Sequence, residues 1–314
     1  MKLNLLLFLL ILCSTAIGQK KETFYDFSWK ETTPENATYY SVKVKTDSGW
    51  LQTDYYIRTQ RLQMSALYAD EAAEVHNGHA YYYHANGIPS VIGRMINNKE
   101  EGVCVSYHPN GRMSDSALFR NGNVVDKRFQ WHPNGMMSDS TSKVNDSTYI
   151  SVGWFEDGNI SYAGYLRNDE QYGKWQYFHH NGQVSALETY ENGRLLKAEY
   201  FDEQGKPLKD TSMVNRKASM NGGQAAWTRY LERNLTWPEG LTFTTPASVT
   251  VGVSFWVDEN GQVTDAEVSL PFHEAFDRIA LRIIKNSPKW LPAIAHNRKI
   301  RVHKLQPVVF SLPE

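Results

Sequence analysis

Four histidines sit at one position of a recurring pattern. His84, His108 and His132 lie in Tyr83-His84-Ala85-Asn86-Gly87, Tyr107-His108-Pro109-Asn110-Gly111 and Trp131-His132-Pro133-Asn134-Gly135, and His179 lies in Phe178-His179-His180-Asn181-Gly182. Imidazoles at regular spacing are the raw material of a zinc site, so geometry decides. Two ligands of one zinc need nitrogens within roughly 4 Å of each other, given Zn–N near 2.1 Å. Equivalent positions of successive hairpins are two strands apart, about 9–10 Å. One histidine per turn therefore cannot share a metal with its neighbour. These histidines are expected to pack at the turns beside an aromatic layer, and no metal or other cofactor is expected.

Cys104 is the other group that could do chemistry. A thiolate nucleophile needs an adjacent base, and His108 is the near candidate in sequence. Cys104 lies between Val103 and Val105 in the middle of a strand-like run, which reads as a small buried side chain. Carboxylate pairs such as Asp202-Glu203 and Asp258-Glu259 sit in turn sequences, where solvated acids are ordinary. The chain has no Gly-x-Ser-x-Gly elbow, phosphate-cradling glycine loop or His-Glu-x-x-His helix. The expectation is a protein that is not an enzyme.

The pattern that holds the histidines is a repeat. Its glycines, Gly87, Gly111, Gly135, Gly158, Gly182 and Gly205, step by 24, 24, 23, 24 and 23 residues. The residue four before each is aromatic, and five of the six are followed at three residues by serine (Ser90, Ser114, Ser138, Ser161, Ser185). A fixed period of this size marks a repeat architecture. Asn-Gly favours tight hairpin turns through positive φ, and alternating runs such as Lys174-Trp175-Gln176-Tyr177-Phe178 flank it as strands. Secondary turns at Asn121-Gly122 and Asn192-Gly193 link one hairpin to the next. Single hairpins are barely stable, so the units must stack into one twisted meander with a shared aromatic layer. Tyr55-Tyr56-Ile57 looks like a degraded copy, which starts the array near residue 38.

The chain ends frame this array. Lys2, an apolar run over residues 3–12 and Ala16-Ile17-Gly18 before Gln19 describe a secretory signal peptide, residues 1–18, cleaved after Gly18. Cys104 is then the sole thiol, so the fold is expected to stand without a disulfide. Aromatics at 13% favour pleated surfaces, and a net charge of −1 supplies no basic face for nucleic acid. After a lead-in over 19–80 and repeats over 81–206, residues 207–221 read as a linker and 222–314 as a separate domain. There a helix over 224–235 ends at Trp237-Pro238. A strand over 248–257 puts Val249, Val251, Val253, Phe255 and Val257 on one face. After a turn at Asp258-Glu259-Asn260-Gly261 and a return strand over 262–270, an amphipathic helix spans 272–286 with Phe276, Ile279, Ala280, Ile283 and Ile284 inward. A last strand runs over 300–312. The fold class is mainly β: an antiparallel hairpin meander followed by a small α+β domain with a three-stranded antiparallel sheet and two helices.

Two resemblances follow. The Tyr-His-Pro-Asn-Gly motif and its period resemble the MORN-repeat variant family over about 80–210, and the family's Gly-x-Trp-x-x-Tyr lead-in survives best at Gly173-Lys174-Trp175-Gln176-Tyr177. Gly222-Gly223, Trp237-Pro238, Val253-x-Phe255-x-Val257, Asp258-Glu259-Asn260-Gly261-Gln262-Val263, Phe276-Asp277-x-x-Ala280 and Pro288-Lys289-Trp290-x-Pro292-Ala293 together resemble the TonB carboxy-terminal domain family over about 222–312. The family's Asn-Gly after the Pro-Ala pair is replaced by His296-Asn297-Arg298. The first resemblance implies a scaffold. The second implies partner binding in the periplasm, by accepting an extended peptide as an added strand. The edge would be residues 300–310, with Arg301, Val302, His303, Lys304 and Leu305 as partner-binding residues. The implied partner is an envelope protein or peptide, an outer-membrane transporter among them, and a second copy pairing through the same edge is a further expectation. The alternative is a TonB-type energy transducer held by an uncleaved N-terminal anchor in the inner membrane. Six repeats at two strands each rise only about 60 Å, which favours docking over spanning. The expected place is the periplasm or the outer-membrane surface.

Overall fold

The computed structural model describes residues 21–241 and 248–311. The expected signal peptide lies outside the described residues. The array is one antiparallel sheet of 16 strands, from Lys21–Tyr25 to Arg194–Tyr200, in which strands pair with their neighbours in sequence, except that Lys99–Glu100 and Gly102–Tyr107 both pair with Pro89–Ile96. It is a meander, as the period required, with no crossover.

Its turns are of two kinds, and the tight ones are not the Asn-Gly turns of the repeat. Asn121 and Gly122 have φ of 52° and 82°, and Asn192 and Gly193 have 48° and 69°. These secondary turns are two-residue hairpins in which both central residues take positive φ. In the repeat turns only the glycine does, at 89° for Gly87 and 82° for Gly111. Strands end at Tyr83 and resume at Pro89, so five residues make the connection. The His84 N–H donates to the Ile88 carbonyl at 2.8 Å, and the Gly87 N–H donates to the His84 carbonyl at 2.8 Å. The expectation of a tight Asn-Gly hairpin is corrected accordingly. Asn86 turns its side-chain oxygen on its own loop, accepting the Ile88 N–H at 3.0 Å, which an Asx turn does without positive φ.

The rest of the turn chemistry joins repeats to each other. Nε2–H of His84 donates to the Tyr107 carbonyl at 2.8 Å, His108 to Trp131 at 2.7 Å, His132 to Trp154 at 2.9 Å and His179 to Phe201 at 2.9 Å. The Asn86, Asn110, Asn134 and Asn181 side-chain amides donate to the carbonyls of Pro109, Pro133, Glu156 and Glu203 at 2.8–2.9 Å. Four of the six repeats thus reach the next through two rungs. His108→Ala removes one rung and leaves the Trp131 carbonyl bare. The expected loss is about 1 kcal/mol, read as a lower urea midpoint with an unchanged denaturant slope.

The aromatic layer is real but broken into clusters: Met64, Ala66, Tyr68 and Ala80 near one end, and Trp175, Tyr177, Ala186 and Tyr190 near the other. Large rings lie over missing side chains. A Cβ on Gly164 would sit 2.1 Å from the Trp175 ring. Cys104 is half-buried beside Gly93, and burial pushes its thiol up.

The C-terminal module has the expected parts. A central strand (Ser248–Val257) lies between a return strand (Val263–Leu270) and a last strand (Val302–Ser311). Helix α1 spans Gly223–Asn234 and α2 spans Glu274–Lys285. Val249, Val251, Val253, Phe255 and Val257 pack with Phe276, Ala280 and Ile284 of α2 in one core, closed by Val308, Phe310 and Trp227. His273 caps α2 by accepting the Ala275 N–H at 3.2 Å. Residues 207–221, expected as a linker, carry buried Val214, Ala218 and Met220, and Ser219–Met220 pairs with Trp290–Leu291. A hairpin of Ala293–Ala295 and Arg298–Ile300 was not foreseen.

Candidate functional site

Two features converge on the C-terminal module: the seam that fixes it to the array, and the last strand that the seam leaves open.

The seam is made by the unforeseen hairpin. His296 and Asn297 turn it with φ of 54° and 60°, the conformation an Asn-Gly pair would supply. Replacing those residues keeps the turn and adds side chains. Arg298, 7% exposed, enters the inner face of the array. Its Nη1 donates to the Ser161 carbonyl, to Ser161 Oγ at 2.6 Å and to the Phe178 carbonyl at 3.3 Å. The guanidinium faces the rings of Phe155, Tyr162 and Tyr177 at 5.3, 5.8 and 5.3 Å, within cation–π range. Burial pulls its pKa down to about 10, because no carboxylate touches it. His296 stacks on Tyr177 with centroids 3.6 Å apart and donates from Nδ1 to Glu188 at 2.9 Å. The Asn297 amide donates to the Phe201 carbonyl at 2.7 Å. None of these residues was marked as functional from the sequence. The available signal was the departure from Asn-Gly at 296–298.

Arg301, expected as a partner-binding residue, bridges Glu156 of the array and Asp265 of the module, with its side chain over Trp256 at 4.5 Å. Val302 pairs with Val257. His303 lies against Trp256, 5.2 Å between centroids, and burial pulls its pKa down. Lys304 lies over Trp290 at 5.3 Å, and burial followed by repulsion from Lys217 lowers its pKa. Leu305 is 65% exposed. The glycines Gly87, Gly111, Gly135, Gly158, Gly182 and Gly205 all sit at φ of 77–91° in the turns. Among the described residues, no group of three or more His, Cys, Asp or Glu could hold a metal ion.

The last strand pairs on one side only. It runs against the central strand from Val302↔Val257 to Ser311↔Ser248 without a register shift, and no described strand pairs its other side. Its parity can be read from Pro307, which faces Gly252 in an unbroken ladder. A proline has no N–H and is tolerated in a strand where that N–H would face away from the sheet. The Pro307 carbonyl is met by the Gln306 side chain at 2.7 Å, in keeping with an outward direction. Backbone direction alternates, so His303, Leu305 and Val309 share the outward orientation. Val302, Lys304 and Gln306 point their backbone groups at the central strand. Among the described residues, no hydrogen bond or ion pair joins residues 302–311 to the array. A cleft of about 1070 Å³ separates the array turns from the outer face of the sheet, lined by Tyr107, Trp256, Leu270, Leu305, Pro307 and Glu267 among others. A smaller slot of about 360 Å³ lies on the other face of the last strand, beside Met220, Trp227, Lys304 and Gln306.

Comparison with known families agrees with both resemblances. Residues 248–312 match the family described as Gram-negative bacterial TonB protein C-terminal, and residues 171–192 match the MORN repeat variant. The first match takes in the three strands and α2; α1 lies before it. The second holds the Gly173–Tyr177 lead-in. No curated protein matches the chain. The module is thus similar to a domain known from Gram-negative bacterial TonB proteins. Among the described residues, no helix is long and apolar enough to cross a membrane.

Proposed function

We propose that this chain is a non-enzymatic cell-envelope interaction protein whose TonB-like module docks an extended peptide of a protein partner by strand addition, on a scaffold of hairpin repeats. The observation that supports it most is the last strand: an unpaired edge ten residues long, whereas the return strand at the other side of the sheet packs Leu270 against Tyr39, Tyr56 and Ala85 of the array. Unpaired backbone N–H and C=O groups are a template for another strand. The seam favours docking over energy transduction, since Arg298, His296, Asn297 and Arg301 hold the module in one position on the array. Export through a cleaved signal peptide, to the periplasm or the outer-membrane surface, completes this reading, with an outer-membrane transporter among the partners it would suit.

The test uses the strand's parity. Leu305→Pro removes an outward N–H and leaves the central ladder intact, so capture of envelope proteins on the immobilised mature chain should fall at least tenfold. Val302→Pro is the wrong probe, because its N–H bonds inward and the variant would damage the sheet. Undiminished capture by a folded Leu305→Pro protein would remove strand addition from consideration.

A further inference from the structure

A strand added to the last strand would present its side chains alternately to the two faces of the sheet, and here those faces differ in chemistry. On one face lies the cleft. Its walls are Tyr107, Trp256, Leu270, Leu305 and Pro307, with His84, His108, His303 and Asp265 among the polar groups that also line it. The Glu267 carboxylate also faces it, held at 3.2 Å by Ser254 Oγ and in no ion pair among the described residues. Burial pushes that carboxyl up, a sign of how poorly solvated this face is. A further carboxylate entering here would meet apolar walls and a like charge. On the other face lies the slot. Its charged side chain is Lys304, which has no carboxylate partner among the described residues and has Lys217 nearby. A carboxylate is favoured on this face.

We infer that the peptide accepted by the last strand alternates apolar and acidic residues, the apolar ones entering the cleft between array and module and the acidic ones lying over Lys304. This rests on strand addition at that edge and goes beyond it, since an edge alone reads backbone and carries no preference for side chains. It also gives the array a part in recognition, because Tyr107 and the turns beside it form the far wall of the cleft. The module by itself would keep the lysine face and the Trp256, Leu270, Leu305 and Pro307 side of the cleft, and would lose the opposing wall that Tyr107 supplies.

Fluorescein-labelled, end-capped heptapeptides titrated into the full mature chain by fluorescence anisotropy provide the test. An alternating Val/Glu peptide should bind at least tenfold more tightly than a peptide of the same composition with its valines and glutamates in blocks, and at least tenfold more tightly than the Val/Lys counterpart. Lys304→Glu should reverse the Glu-over-Lys order. Lys304→Gln, the milder change should the first not fold, should bring the two within about twofold. Equal binding of the Glu and Lys peptides to the wild type overturns the inference, as does equal binding of the block peptide, a Lys304→Gln variant that keeps the full preference, or no binding by any of the probes. A Val/Glu peptide N-methylated at alternate backbone positions separates the two levels. If it binds like its parent, strand addition itself is wrong; if it does not bind yet charge makes no difference, only the side-chain reading fails.

Discussion

Arg298→Ala is expected to loosen the C-terminal module from the repeat array and to lower the unfolding free energy by about 3 kcal/mol. The estimate is a balance of opposed effects. Arg298 brings a cation into an aromatic cage without a carboxylate in contact, and burial alone disfavours that charge enough to pull its pKa down to about 10. Its truncation relieves that cost. Against this stand hydrogen bonds from a charged donor to Ser161 and Phe178, typically about 1.5–3 kcal/mol each, and three ring faces at 5.3–5.8 Å. Alanine also leaves the Ser161 carbonyl without this donor and opens a cavity between Tyr162 and Tyr177. Arg298→Met keeps the volume and removes the buried charge, so its cost should be smaller, about 1 kcal/mol, in line with apolar replacement of buried ionic groups. Urea unfolding gives the energies, and limited proteolysis within 207–221 reports the loosening. An alanine variant that unfolds and resists protease like the wild type would show that the seam carries no stability.

The contrast between that seam and the rest of the fold shows what a sequence can carry. Val249, Val251, Val253, Phe255 and Val257 alternate within one strand, and Phe276, Ala280 and Ile284 recur at helical spacing, so periodicity alone put them in a core, and there they are. The meander was legible because one turn sequence recurs at a nearly fixed period. The turn type was not. Asn-Gly admits both a two-residue turn with two positive φ values and a five-residue loop with one, and the dipeptide alone does not choose between them. The side-chain rungs between repeats join residues 22 or 23 apart, such as His179 with Phe201 and His84 with Tyr107. The histidines proved to be connectors because each spends its Nε2 on a carbonyl of the following turn. The seam is further out of reach. Arg298 and Ser161 are 137 residues apart, and His296 and Glu188 are 108 apart. No local pattern links them. The parity of the last strand, by contrast, was present in Pro307 and could have been used.

Glu188→Ala is expected to cost about 3 kcal/mol, on the same scale as the loss of Arg298, and to change how the protein responds to acid. Glu188 is 3% exposed on the inner face of the array. It accepts from His296 Nδ1 at 2.9 Å and from the Tyr190 hydroxyl. Burial pushes its carboxyl up, but hydrogen bonds from His296 and then Tyr190 outweigh burial and hold it below the ordinary range. Tyr190 in turn is driven well above the usual tyrosine range, by burial and then by its bond to Glu188. Alanine strands these donors in a dry site, and removal of one partner of a buried pair costs about 3–5 kcal/mol. The lower end applies here because His296 is partly exposed. Glu188→Gln keeps an acceptor and should cost about 1 kcal/mol. The pH dependence has a definite sign. A carboxyl with a depressed folded pKa contributes stability that is fully present above its unfolded value, about 4.3, and is lost as pH falls through the lower folded value. Wild-type stability should therefore decline on the acid side of pH 4 by a component that Glu188→Gln lacks. Urea titrations at pH 7, 5, 4 and 3 measure it. Parallel curves down to pH 3 would mean that Glu188 is not held as a paired carboxylate, and that the His296 contact between array and module is a stacking contact on Tyr177 alone.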